Sequence, residues 1–369
     1  MGIESVAIIG HRSLVGSVLR ERMLEEGDFD HFEATHFSTS QVGAIGPDGR
    51  PLQDAYDLQA LSDHDVVLTT QGSDYTADVH SRLRDGGWPG YWIDAASKLR
   101  MTEDSIPILD PVNGDVIDQR LDAGKKDLIG SNCTVSTMLL GLTPLFRDGH
   151  IEWVSDMTYQ AASGAGARHM GELLKQMGQL GLATREMVDD PASGILAIDR
   201  RVNEALQARD FPVEQWGVPL AANVIPWIDQ AVDGGKTREE WKGLAETNDI
   251  LDLDAGNQVL VDGTCVRVGA MRSHGHGLTI KLKQDIPLDD IEAMIKGSHE
   301  WVKVVPNNEE ATKHDLTSVS ASGDLQIHVG RLRKMAMGPL YLNAFLVGDQ
   351  LLWGAAEPLR RGLRIIASA

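Results

Sequence analysis

Two cysteines, Cys133 and Cys265, are all the thiols in a chain of 369 residues. A disulfide framework for a chain this long needs more than one pair. The two therefore imply a reducing compartment in which a thiol is kept for packing or for chemistry. Basic residues are scarce as well: 34 Lys and Arg stand against 54 Asp and Glu, a formal net charge of −20. Phosphate backbones demand clustered cations, so nucleic acid is excluded as a partner. The same charge disfavours docking on an anionic membrane. No run of about 18 apolar residues is available to span a bilayer. The N-terminus enters an apolar strand without the charged and apolar regions of a secretory signal, which makes the cytoplasm the expected location. Internal repeats, low-complexity segments and obvious linkers are also missing. An anionic ligand would be opposed by the field of the whole protein, so a few local cations would have to attract it.

What is present reads as an ordinary globular protein, 42% hydrophobic and 24% charged, long enough for two domains with a core each. Val6–Ile9 reads as a short buried strand closed by Gly10. Val15, Val18, Leu19 and Met23 then fall at helical spacing from Leu14 to Met23. Further strands are expected at Asp65–Thr70, Tyr91–Ile93 and Ile106–Leu109, alternating with helical or turn-rich segments. That alternation predicts a mostly parallel sheet covered on both faces. Near Gly130 the pattern changes. Thr134–Phe146 reads as one buried helix. Arg168–Leu180 carries Met170, Leu173, Leu174, Met177 and Leu180 on one helical face, which is taken as core packing. Val259–Met271 and Leu278–Leu282 read as strands. The tail Gly348–Ile366 is apolar at helical spacing, with Pro358 as a kink or break. The fold class is α/β, a Rossmann-like dinucleotide-binding domain at residues 1–132 followed by an α+β domain at 133–348.

Gly10-His11-Arg12-Ser13-Leu14-Val15-Gly16 lies where such a fold places its phosphate-binding turn, with backbone N–H groups at a helix N-terminus. A plain strand-to-helix turn is the simpler reading, but the position at the start of an α/β pattern favours a nucleotide. After the next strand an NAD-selective fold carries a carboxylate for the ribose 2′-hydroxyl. Here the chain has Phe37-Ser38-Thr39-Ser40-Gln41 instead, with Arg12 in the first loop, which favours NADP. Cys133 follows Asn132 at the start of an apolar helix. The macrodipole and free N–H groups there are expected to favour thiolate and to hold a developing oxyanion. Cys265, inside a strand-like run, fits a packing role. Among twelve histidines, His274 in Arg272-Ser273-His274-Gly275-His276-Gly277 is the best candidate base, because flanking glycines leave its backbone free to turn into a cleft. Arg267 lies seven residues earlier. Strict alternation would put 267 and 274 on opposite faces, so a shared site requires the strand to bend or end near Arg272.

Gly130-Ser131-Asn132-Cys133-Thr134-Val135-Ser136 resembles the nucleophile segment of bacterial aspartate-β-semialdehyde dehydrogenases. So, in the same order, do Tyr159–Gly164, Arg238–Gly243, Val266–Arg272 and Gly348–Gly354. The likeness runs from Ile8 to about Arg364. It implies that Cys133 attacks the substrate aldehyde, His274 takes the proton, and Gln160 orients the thiohemiacetal beside Asn132. It implies Arg267 on the substrate carboxylate, Glu239 on its ammonium, and Arg100 and Lys242 on inorganic phosphate. For NADP it implies Gly10, Arg12, Ser13, Leu14, Val15, Thr39, Ser40, Gln71, Ser163, Gly164, Pro191 and Gln350. Ser13 stands where the family commonly has glycine, and its β-carbon is expected to crowd the pyrophosphate. A homodimer formed through the second domain, a C-terminal helix near 349–369 that completes the first domain, and no metal are further implications. Two rivals remain. An N-acetylglutamyl-phosphate reductase has no free ammonium for Glu239 to hold. A non-catalytic NADP-binding paralogue would be expected to have lost the nucleophile.

Overall fold

The computed structural model describes residues 2–368. Seven parallel strands form the first sheet: β1 (Ser5–Ile9), β2 (Glu33–Ser38), β3 (Gln53–Asp54), β4 (Val66–Thr69), β5 (Tyr91–Asp94), β6 (Ser105–Ile108) and β7 (Asp127–Gly130). Their order is β3-β2-β1-β4-β5-β7-β6. The chain leaves β1 towards β2 on one side and returns to β4 on the other. The crevice beyond the carboxyl ends of β1 and β4 is therefore the switch point at which open α/β sheets bind ligands. Gly10 turns the chain there with φ +89°. A β-carbon on Gly16 would lie 2.1 Å from the Gly10 carbonyl oxygen, so only glycine lets helix Leu14–Glu25 start this close to the strand.

The second sheet is mixed, with order β12-β13-β14-β11-β8-β10-β9. Its strands are β8 (Ile151–Gln160), β9 (Val224–Ile225), β10 (Leu260–Val268), β11 (Ser273–Leu282), β12 (Val302–Val304), β13 (Ile327–Met335) and β14 (Gly338–Asp349). Strand β10 runs parallel to β8 on one side, and β11 runs antiparallel to it on the other. The short segment 269–272 must therefore cross the end of β8. It is held there by Ala162 and Ser163 N–H groups donating to the Ala270 and Met271 carbonyls. The break in strand near Arg272 is thus present, and it carries the chain from one flank of β8 to the other.

Four local expectations need correction. The single helix 134–146 is two, Cys133–Gly141 and Thr143–Arg147, joined at a non-helical Leu142. Pro144 has no N–H and cannot continue the first helix. The Thr143 hydroxyl caps the freed Leu139 and Leu140 carbonyls instead. The tail is not helical from Gly348, because Gly348 and Asp349 end β14. A π-helical turn, Leu352–Ala356, runs directly into helix Glu357–Ser368, and the expected break at Pro358 takes the form of this change from π to α spacing just before it. The stripe on helix Ala167–Asp189 is only partly core: Leu173 is buried, but Leu174 is 55% exposed and Met177 39%. The glycines flanking His274 do not serve a turn, since His274 lies within β11. A β-carbon on Gly275 would lie a tight 3.3 Å from the Phe345 ring, so that glycine makes room for it, whereas one on Gly277 would meet Tyr159 at an ordinary 3.5 Å.

Trp353 packs into the core of the second sheet, beside Val135, Met138 and Leu139 of the nucleophile helix. Leu351, Leu359, Leu363 and Ile366 pack into the core of the first sheet. One C-terminal segment thus ties both cores together. Truncating Leu359, fully buried, to alanine is expected to cost about 2–5 kcal/mol, read as an earlier urea midpoint by tryptophan fluorescence. A loss below about 1 kcal/mol would show that the tail is not bearing on the sheet.

Candidate active site

β7 delivers the chain to Ser131, Asn132 and Cys133. The Asn132 side chain accepts from the N–H groups of Thr134 (2.9 Å) and Val135 (3.2 Å), making it the N-cap of the nucleophile helix. Cys133 is the first helical residue. Its sulfur lies 3.4 Å from His274 Nε2. His274 is fully buried, and its Nδ1 accepts the Ala161 N–H at 3.0 Å. Arg267 Nη1 donates to the Ala161 carbonyl at 2.7 Å, and its guanidinium lies 5.6 Å from the Trp216 ring centroid. A β-carbon on Gly164 would sit 3.0 Å from Arg267 Nη1 and 3.2 Å from His274 Nε2, so the Ser163–Gly164 turn closes over both.

Helix Arg238–Ile250 supplies the opposite wall. A capping box between Thr237 and Glu240 fixes its start. Glu239, Lys242 and Glu246, spaced three and four residues apart, then share one buried face. Glu239 accepts from Asn132 Nδ2 (3.1 Å), Gln160 Nε2 (3.3 Å) and Lys242 Nζ (2.9 Å). Lys242 also reaches Asp229 at 3.0 Å. Glu246 accepts from Arg100 Nη1 at 3.0 Å and from the Asn132 N–H at 2.8 Å. Glu246 and Asp229 were not anticipated. The spacing from Glu239 could have revealed Glu246. Asp229, held at φ +72° in a loop, has no comparable signal.

A cavity of about 400 Å³ runs between these groups. Arg100, Asn132, Cys133, Gln160, Glu239, Lys242 and Arg267 line it, with Val15, Gly164 and Gln350 towards its nucleotide end. The expected cations are there, but Arg100 and Lys242 are paired with Glu246, Glu239 and Asp229. Arg267 makes no ion pair among the described residues and is 6% exposed. Burial pulls its pKa below the ordinary arginine value.

The thiol departs from expectation. Burial first, and the Glu239 carboxylate second, push Cys133 up to about 12. Two of the helix N–H groups expected to favour thiolate are already taken by the Asn132 cap. Burial, then Arg267 and His276, hold His274 well below its usual value, so the imidazole is neutral. Lys242 is held above its ordinary value because Glu239 and Asp229 outweigh the effect of burial.

The expected cofactor residues form a second cluster at the β1/β4 crevice. Ser13 is the N-cap of its helix, accepting the Gly16 N–H at 2.9 Å and lying 2.8 Å from the Thr70 hydroxyl. That capping role accounts for serine at this position. Gln71 Nε2 donates to Thr39 Oγ1 at 3.1 Å, and Arg12 is held against Gln41 beside Ser40. Ser163 Oγ donates to the Arg272 carbonyl, which places it under the turn. Leu14 and Val15 open the first helix. Pro191 is exposed between two helices and does not line the cavity. Gln350 Oε1 is buried without a hydrogen-bond partner, an unmet acceptor that fits a carboxamide donor of a nicotinamide.

Parallel sheet, glycine turn and a buried Cys–His pair at the junction define a two-domain dehydrogenase with an NAD(P)-binding domain. Residues 5–120 match the family model "Semialdehyde dehydrogenase, NAD binding domain", and residues 142–353 match "Semialdehyde dehydrogenase, dimerisation domain". The aspartate semialdehyde dehydrogenase of Francisella tularensis is 45% identical, with TM-score 0.94, covering 99% of this chain and 100% of that one. Aspartate semialdehyde dehydrogenase II of Vibrio cholerae, solved with ASA, shares the fold at 23% identity and TM-score 0.78, covering 99% and 98%. The Candida albicans enzyme, solved with NADP, does so at 16% and 0.65, covering 99% of each chain. The chain belongs to the aspartate semialdehyde dehydrogenase family, and it is an enzyme of that type.

Because the free thiol titrates high, alkylation of Cys133 by iodoacetamide is expected to accelerate about tenfold per pH unit from pH 7 to 10. A rate that levels off below pH 9 would show that thiolate is already formed in the empty site.

Proposed function

We propose that this enzyme catalyses the reversible, NADP- and phosphate-dependent oxidation of L-aspartate 4-semialdehyde to L-4-aspartyl phosphate, in the biosynthesis of lysine (through diaminopimelate), threonine and methionine. The supporting observation is Arg267: a buried guanidinium without a carboxylate partner, facing the same cavity as Cys133. Such a group is costly unless a substrate anion completes it, and its planar fork suits a carboxylate. Glu239, lowered below its usual range by Lys242, Asn132 and Gln160 against the effect of burial, is anionic and suits the substrate ammonium. An N-acylated substrate offers it nothing.

In this reading Cys133 Sγ bonds to the aldehyde carbon, with Asn132 and Gln160 beside the new centre and His274 facing the sulfur. NADP⁺, when bound, would supply the acceptor for the hydride of the thiohemiacetal carbon, and Cys133 would then carry the thioester. Arg100 and Lys242 hold phosphate for attack on that thioester, and the C–S bond breaks. NADP rather than NAD is favoured because the end of β2 offers hydroxyls and Arg12, with no carboxylate. Gly10 to Val15, Thr39, Ser40, Gln71, Ser163, Gly164 and Gln350 surround that end. Two unpaired cysteines suit the cytoplasm.

NADPH formation from the semialdehyde is expected to require phosphate and to fall by about 10⁴-fold or more in Cys133→Ala. Arg267→Lys should raise the semialdehyde KM by about 10–100-fold. An intact protein inert with this substrate would sink the assignment.

The enzyme is further read as a homodimer. Leu174, Met177, Leu182, Val188, Ile195 and Leu196 are all exposed on two adjacent helices, an apolar face that a monomer rarely leaves open. Light scattering after size exclusion should give twice the chain mass of 40.1 kDa. A mass of one chain at micromolar concentration would refute the dimer.

A further inference from the structure

Resting on the cofactor reading above, we infer that Arg272 and Asp349 form a positioning pair that aims Gln350 and Ser163 at the nucleotide end of the cavity. Neither member of the pair lines that cavity. Asp349, the last residue of β14, is 2% exposed. Its Oδ1 accepts the Leu351 N–H at 2.9 Å, and its Oδ2 accepts the Gly323 N–H at 2.6 Å. Arg272 Nε lies 2.6 Å from the same Oδ2, as an ion pair without hydrogen-bond alignment. One carboxylate thus joins three stretches remote in sequence: the crossover 269–272, the loop 317–324 and the C-terminal segment.

The backbone of the same arginine reaches the two residues concerned. The Arg272 carbonyl accepts from Ser163 Oγ at 3.0 Å and from the Gln350 N–H at 3.4 Å. Ser163 belongs to the turn that closes over Arg267 and His274. Gln350 holds the buried side-chain oxygen that has no partner among the described residues. Ser273 and Asp349 stand opposite each other in the β11–β14 ladder. The residue that follows one is His274, and the residue that follows the other is Gln350. Ser273 Oγ adds a second tie to the loop, 2.8 Å from Ser322 Oγ.

A turn cap accounts for only part of this arrangement. The Leu351 contact is an Asx turn, which needs no cation from another strand. The Asp349 side chain, however, is fully buried, and a buried carboxylate stripped of its counter-charge is costly. Arg272 therefore cannot shift without Asp349, and both flanks of Gln350 are held: its own N–H on the Arg272 carbonyl, and the turn from Asp349 to Leu351 that encloses it. An acceptor fixed before its ligand arrives loses less freedom on binding. The pair touches no ligand itself and acts through the residues that do.

The test uses the intact enzyme with Asp349→Asn and Arg272→Met, singly and together, folding being checked by melting. Calorimetric titration with NADP⁺ and with NAD⁺ gives the Kd of each variant without any substrate. Each single substitution is expected to weaken binding of the preferred nucleotide by about five- to tenfold, the worth of one misplaced hydrogen bond. The double variant should lose no more than the worse single, because the pair acts as a unit. The KM for phosphate should not move. In the ligand-free protein, hydrogen exchange at the Gln350 and Leu351 amides should speed up in each variant, while that of the central strand β8 stays as it was. A wild-type Kd in both single variants overturns the proposal even where melting falls, since the pair would then be structural only. Losses that add in the double variant overturn it as well. A wild-type protein that binds neither nucleotide would sink the cofactor reading and this inference together, whereas a binding wild type with unaffected variants sinks this inference alone.

Discussion

The site depends on burying charge in pairs. Helix Arg238–Ile250 turns Glu239, Lys242 and Glu246 inward: Glu239 and Glu246 accept from Asn132 at the nucleophile turn and pair with Lys242 and Arg100. Leaving one such charge alone would cost about 3–5 kcal/mol. The helix therefore has one docking position against Asn132, and Asn132 in turn caps the helix that begins with Cys133. Positioning the thiol and compensating the buried charges are the same structural event.

That balance has an electrostatic consequence. With a formal net charge of −20, a cluster of bare cations might be expected to draw in anions. Instead Arg100 and Lys242 are already neutralised, and of the three cavity cations Arg267 is the one left without a carboxylate among the described residues. The side chains of the site thus sum close to neutral, and burial with Glu239 keeps the thiol protonated. Anionic ligands must compete with Glu246, Glu239 and Asp229 for the cations. Arg267 is where a carboxylate gains most, because among the described residues it has a carbonyl partner but no counter-charge.

The two halves meet through the C-terminal segment. Trp353 belongs to one core and Leu359 to the other, while Gly354 lies so near the nucleophile that a β-carbon there would be 2.6 Å from Cys133 Cβ. The same segment carries Gln350, whose unpartnered oxygen faces the nucleotide end of the cavity. The π-helical turn at Leu352–Ala356 lets the chain leave β14 beside the catalytic cysteine and still lay a helix on the first sheet.

Local periodicity located β1, β4, β5 and β6 of the first sheet, because parallel buried strands are short apolar runs and the glycine turn at Gly10 has its own signature; β3, two residues long, and β7, which runs straight into the nucleophile turn, were not read as strands. Cys133, Arg267, His274 and Gln160 were legible through long matching strings around them. Local pattern failed where neighbours distant in sequence decide. The helix break at Leu142 follows from Pro144 and the Thr143 cap, and the exposed half of the Met/Leu stripe looks identical in sequence to a buried one. Gly275 beside His274 leaves room for the Phe345 ring, which only strand pairing brings to it. Residue identity alone determined which groups are present for the chemistry. Their protonation was decided by the tertiary structure, because a pKa is set by burial and by partners such as Glu239, which lies more than 100 residues from Cys133 along the chain.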